Sequence, residues 1–246
     1  MNLPQTCFGL APGEAALAVA THPDDETLGA GGTLHRLAAA GIRTYVLIIT
    51  CPRPPAGRPC STATRVAEFG AACDALGVTG RSLAWAGGDA GTAPGTHLRD
   101  LVTLIESDPQ VSLEAVRPAL LLIPSAAGFH QDHHDVHRAC FAAARPSGAK
   151  GLAPRIVLGY AGPEDAWTRA AEPQAVYVNT TASWPAKQQA LTCYRSQLRD
   201  DSHPRSICRI RAIDTAAGAA VGAGMAERFT AYRMAFLCPP GPRRGC

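Results

Sequence analysis

Two rhythms of apolar and polar positions alternate along this 246-residue chain. Short runs at residues 15–20, 44–50, 81–86 and 119–123 read as strands, with 15–20 and 44–50 apolar enough to lie buried in a parallel sheet. Between them lie stretches with apolar residues at helical spacing. Residues 27–40 put Leu28, Leu34 and Leu37 on one face and stop at Gly41. Residues 61–76 form the next predicted helix, ended by Gly77. Residues 98–106 form another, with Leu101, Val102 and Ile105 as its stripe and Thr96 as its cap. Strand followed by helix, with short connections, is the signature of an α/β domain. The expected architecture is Rossmann-like, a mostly parallel sheet flanked by helices.

Past residue 150 the rhythm loosens into a smaller C-terminal strand and helix extension. Residues 155–160 and 175–179 read as strands, and 184–198 as a helix with Pro185 in its first turn. Residues 207–213 read as a strand, 216–236 as an alanine-rich helix, and 239–246 as a disordered tail. With no internal repeat and no linker, residues 1–246 are expected to form a single domain.

Composition narrows the class of partner. A formal charge of +3 is too small to point to nucleic acid or an anionic membrane. No apolar run is long enough to span a membrane, and no basic segment precedes the first one as in a secretory leader. A cytoplasmic protein is expected, monomeric or homo-oligomeric. The nine cysteines are scattered without a C-x-x-C pair and read as free thiols. A Cys51–Cys60 bridge across a loop of four prolines is the alternative.

The chemistry concentrates in two places. The first apolar run ends abruptly in Thr21-His22-Pro23-Asp24-Asp25-Glu26. Open α/β sheets keep their reactive groups just beyond the carboxyl ends of strands. Read alone, this stretch is equally a turn in which Asp24 or Asp25 caps the next helix. The fourth run, however, leads into Phe129-His130-Gln131-Asp132-His133-His134-Asp135-Val136-His137, which holds four of the eight histidines. If a helix starts near Asp132, His133 and His137 share a face and His134 turns away. His22, Asp25 and one of the later histidines then make a two-histidine, one-carboxylate set. That set suits a catalytic zinc with an open position, although mononuclear iron uses the same ligand types. Asp24 is free to take a proton from water, and a nearby histidine to protonate a leaving group. Gly29, Gly31 and Gly32 follow acids and do not fit G-x-G-x-x-G. They read as permitting close approach of helix to sheet or substrate.

Thr21-His22-Pro23-Asp24-Asp25-Glu26 followed by His130-Gln131-Asp132-His133 resembles the LmbE-like, or PIG-L, family of metal-dependent de-N-acetylases. The resemblance implies one Zn2+ per chain on His22, Asp25 and His133, with other divalent ions such as Fe2+ as substitutes. It implies Asp24 as general base and His130 as the group that steadies the oxyanion or assists the leaving amine. Asp132 would orient His130 or its neighbours. Arg65-Val66-Ala67-Glu68 looks like the family's R-x-x-E helix, whose arginine meets substrate, and Asp89 sits where the family carries an acid at the sugar site. Lys187 through Tyr194-Arg195-Ser196-Gln197 looks like its K…SQ helix. Glu26 is expected to bond to substrate or to the loop.

Two departures stand out. Gly128 occupies a position where some members have an oxyanion-binding tyrosine, and His134 and His137 lie outside the family pattern. The implied activity is hydrolysis of the acetamide of an N-acetylated amino sugar or glycoconjugate. The acids Asp24, Asp25, Glu26 and Asp89 lean toward an amine-bearing antibiotic or pseudosaccharide, and a thiol-cofactor precursor is the alternative within the family. The rivals from other classes are an iron oxygenase and a non-catalytic sugar-binding module.

Overall fold

The computed structural model describes residues 7–52, 60–86, 98–146, 151–167 and 174–235. Among these residues, one seven-stranded sheet is built from β1 (Ala15–Ala20), β2 (Arg43–Cys51), β3 (Gly80–Ala86), β4 (Leu120–Pro124), β5 (Ile156–Tyr160), β6 (Ala175–Asn179) and β7 (Ala226–Met234). Its order is β3-β2-β1-β4-β5-β7-β6. The first five strands pair in parallel, and β7 is antiparallel to both β5 and β6. The helices are α1 (Asp25–Ala39), α2 (Thr62–Leu76), α3 (Leu98–Ser107), α4 (Leu113–Val116), α5 (Gln131–Ala143), α6 (Trp184–Cys193) and α7 (Ile207–Ala219).

The two-residue period of β1 separates two cores. Ala16, Ala18 and Ala20 pack with residues of α1, α2 and α6, whereas Ala15, Leu17 and Val19 pack with residues of α3 and α5. Every residue of β1 is buried, which is why its sequence is continuously apolar. The alanines leave room for α1 to lie close. A Cβ on Gly29 would stand 2.3 Å from Cδ2 of Tyr160, and one on Gly32 would stand 2.8 Å from Cβ of Thr180. The glycines of α1 thus serve helix–sheet approach. Tyr160 is fixed in turn by donating its hydroxyl to the Val19 carbonyl at 2.9 Å.

The C-terminal third departs from expectation. Residues 207–213, expected as a strand, are the start of α7, and the expected helix over 216–236 is the end of α7, a turn and β7. Ile207 and Ile210 lie three positions apart with Asp214 a turn further on, and Ser206 caps the helix by accepting from the Arg209 N–H. Gly222, at φ 70°, then turns the chain toward β7. The expected helix over 184–198 ends at Cys193.

One buried charge cluster bolts this region to α1. Lys187 is fully buried, and its ammonium reaches Asp214 at 2.8 Å and Glu227 at 2.7 Å. Glu227 also accepts from the backbone N–H groups of Gly32 and Thr33, each at 2.8 Å. Cys51 and Cys60 are both free thiols, so the bridge between them is not formed. Among the described residues no helix is long and apolar enough to cross a membrane.

Candidate functional site

The strand order reverses between β1 and β4, and ligands of open α/β sheets sit in the crevice such a reversal leaves at the strands' carboxyl ends. The two polar motifs flank this crevice. After Ala20 the chain turns sharply: Asp24 takes φ 114°, a left-handed conformation that costs a non-glycine residue about 1–3 kcal/mol. Thr27 and Leu28 donate their N–H groups to the Asp24 carbonyl, and α1 begins at once. Across the crevice, the loop after β4 ends at His130. Its Nδ1 accepts the Asp132 N–H at 3.2 Å and so caps α5.

His22, Asp25 and His133 converge. One ligand atom from each lies within 4.8 Å of the other two, a spacing that suits a single divalent ion. Asp25 Oδ2 is 3.1 Å from His133 Nε2 and 3.5 Å from His22 Nδ1. The backbone N–H of His22 donates to the same oxygen at 2.9 Å, which locks the carboxylate. His22 Nε2 lies 3.1 Å from Asp132 Oδ2, so Asp132 orients His22 from behind. Asp132, His22 and His130 also fall within ligand distance of each other.

The electrostatics follow from this crowding. Burial disfavours the His22 imidazolium, but Asp132 and Asp25 outweigh it and push its pKa up to about 9. Burial works against the Asp25 anion, yet His133 and His22 hold it well below the usual carboxylate range. His130 moves down, through burial and then the charges of His22 and His133. Asp24 is pushed up to about 7 by burial and by Asp25, against the pull of Arg205 and Arg65.

Several expected residues lie elsewhere than the open cavity. Glu26, expected to bond substrate or loop, is fully buried, and its carboxylate accepts from the Thr27 hydroxyl, the Tyr194 hydroxyl and the Asp24 N–H. Arg65, expected to meet substrate, is buried beneath the motif and donates to the Pro23 carbonyl at 3.2 Å. Glu68 accepts from the N–H and hydroxyl of Ser196, so the matching helix motifs clamp α2 to the chain after α6. Lys187 is likewise structural. Asp89 lies outside the described residues. His134 donates to the Gly128 carbonyl, and His137 to the Pro124 carbonyl at 2.9 Å, so both pin the loop that delivers His130. Arg205, which no sequence pattern marked, enters the cavity lined by His22, His130, His133 and Glu164.

Comparison with known proteins agrees with this geometry. The family model described as GlcNAc-PI de-N-acetylase (PIG-L) matches residues 17–144. A relative from Actinosynnema mirum, named 1D-myo-inositol 2-acetamido-2-deoxy-alpha-D-glucopyranoside deacetylase, is 36% identical over 157 residues, 53% of this chain and 55% of that protein. The chain thus spans little more than half the length of that relative. Among solved structures, a conserved protein of Thermus thermophilus superposes with a TM-score of 0.71 at 25% identity, covering 92% of this chain and 98% of that one. The N,N'-diacetylchitobiose deacetylase of Pyrococcus horikoshii superposes at 0.68 with 19% identity, over 94% and 87%, and so shares the fold.

Proposed function

The chain belongs to the PIG-L, or LmbE-like, family, and on that premise we propose that it is a zinc-dependent hydrolase removing acetyl from an N-acetylated amino sugar. The observation that carries the reading is the convergence of His22, Asp25 and His133 on one point, with the neighbouring Asp24 buried and its carboxylate pushed up to about 7. A sugar-binding module has no use for a base there. The parallel α/β sheet also argues against the iron-oxygenase reading, which goes with a double-sheet barrel.

His22, Asp25 and His133 would hold a divalent ion, which would supply Lewis acidity and lower the pKa of a water to about 7. The residues of the chain do the rest. Asp24 accepts a proton from the water as its oxygen bonds to the carbonyl carbon. His130 is held neutral, and because its Nδ1 accepts from the Asp132 N–H, its proton sits on Nε2. That Nε2–H donates to the developing oxyanion, in place of the tyrosine missing at Gly128. The C–N bond then breaks, the amine nitrogen takes from Asp24 the proton that Asp24 drew from the water, and acetate and a free amine leave.

The relative's name favours an inositol-linked N-acetylglucosamine as substrate. The lean toward a cationic substrate loses support, because Glu26 is buried and Arg205 places a guanidinium in the cavity. The test is acetate and free-amine release across a panel of N-acetyl sugars, including the inositol glycoside and a glycopeptide antibiotic, with metal content measured on the same sample. Release from the sugars with about one zinc per chain is expected. Turnover of unrelated amides alone, or none with zinc restored, refutes it.

A further inference from the structure

The segment between α6 and α7 returns across the crevice and delivers Arg205 to the carboxylate of Asp24. Nη1 of Arg205 donates to Asp24 Oδ2 at 3.2 Å, and its Nε donates to Glu164 Oε2 at 2.8 Å. Glu164 belongs to the short helical turn Pro163–Trp167 that follows β5. Although Asp24 precedes α1 in the cap position, its side chain makes no capping hydrogen bond. Among the described residues, the hydrogen bond to its carboxylate comes from Arg205 alone. The Asp24 side chain is 4% exposed and that of Arg205 is 26% exposed, so the pair sits at the boundary between core and cavity.

We infer that Arg205 is the positioning residue of the general base, with Glu164 gripping its guanidinium from the other side. The inference rests on the deacetylase reading above. A carboxylate without a capping bond rotates about its terminal torsion, which is broad and nearly two-fold. A charge-assisted bond to Oδ2 stops that rotation and leaves the other oxygen to face the water. An arginine suits the task because its planar fork engages two carboxylates at once, each from a different nitrogen. Glu164 and Asp24 come from opposite sides of the crevice, after β5 and β1, so the guanidinium also sets the width of the site behind the base. Arg205 acts through Asp24 and takes no proton itself.

The experiment compares zinc-loaded wild type, Arg205→Ala, Arg205→Lys, Asp24→Ala and the Arg205→Ala/Asp24→Ala double variant, with acetate release from N-acetylglucosamine and the inositol glycoside as readouts. Metal content and melting temperature are measured on every sample. Arg205→Ala should keep its metal and fold while kcat falls about 100-fold and KM stays within about threefold, the mark of lost orientation. Arg205→Lys should recover about a tenth of wild-type kcat, since an ammonium restores charge without the fork. The double variant should be no slower than Asp24→Ala, because a residue that works through another adds nothing once that partner is gone. A double variant slower by the full single-variant factor means that Arg205 acts on substrate independently, and overturns the inference. If Arg205→Ala does not fold, Glu164→Gln serves instead. Its kcat should fall about three- to tenfold at unchanged KM, and a wild-type kcat overturns the inference. An active wild type with an unaffected Arg205→Ala overturns it alone. A wild type that releases no acetate overturns the deacetylase reading and this inference with it.

Discussion

His22 Nε2 lies 3.1 Å from Asp132 Oδ2, a contact that joins the two polar motifs across 110 residues of sequence. The bond leaves Nδ1 of His22 turned toward Asp25 and His133. It fixes which nitrogen is offered to a metal and raises its basicity. Asp132→Ala should therefore weaken zinc affinity by about 10–100-fold in competition with a chelator. Asp135→Ala, on the same helix with the same charge, should leave it unchanged. Equal losses in both variants would mean that general negative charge, and not the His22 bond, sets affinity.

Asp24 and His133 stand on opposite sides of a simple division between chemistry and metal. Asp24→Ala should keep about one zinc per chain and lose kcat by about 10²–10⁴-fold. His133→Ala should lose the metal itself, seen by elemental analysis after dialysis. Full zinc stoichiometry in the His133 variant would refute the ligand assignment.

Where α1 passes over β5, the approach leaves no space for a methyl group. At Gly29 an added Cβ meets the ring of Tyr160, which is held at Val19 and cannot retreat without losing a buried hydrogen bond. Gly29→Ala should cost about 1–3 kcal/mol in urea unfolding. A neutral result would show that Tyr160 moves freely.

The cluster around Lys187 gives a pH dependence with a definite sign. One ammonium serves two buried carboxylates, Asp214 and Glu227, and cannot neutralise both. Burial, with the charge of Glu227 adding to it and Lys187 opposing, pushes Asp214 up to about 6. A carboxyl whose folded pKa lies above its unfolded value of about 3.9 stabilises the fold fully below the unfolded value, and that stability is lost as pH rises through about 6. The stability of the wild type relative to Asp214→Asn should therefore fall between about pH 4 and about pH 7 in denaturant titrations. A difference that grows with pH would contradict the raised pKa of Asp214.

The amino-terminal half was legible because β1 and β4 are buried along their whole length and α1 and α2 stop at Gly41 and Gly77, so pattern and environment coincide there. The convergence of His22, Asp25 and His133 was legible because two His- and Asp-rich stretches both follow strand ends on one edge of the sheet. The C-terminal third misled the reading. Residues 207–213 read as a strand, while the three-residue spacing of Ile207, Ile210 and Ile213 and the Ser206 cap are what α7 obeys. The alanines of 216–220 hid a turn at Gly222 and the strand Ala226–Met234. Arg205 was not legible at all. It stands in a polar loop, 181 residues from the carboxylate it holds, with no spacing to mark it.

The carboxylate of Glu227 draws two amide protons out of the middle of α1 and toward β7. In the language of hydrogen exchange, the amides of Gly32 and Thr33 should open to solvent only when the antiparallel end of the sheet lets go. Local unfolding of the helix that carries the first motif should then accompany detachment of β7, as one cooperative event with matching exchange rates. The extension whose sequence looked like an appendage is tied by these two bonds to the helix behind the reactive edge.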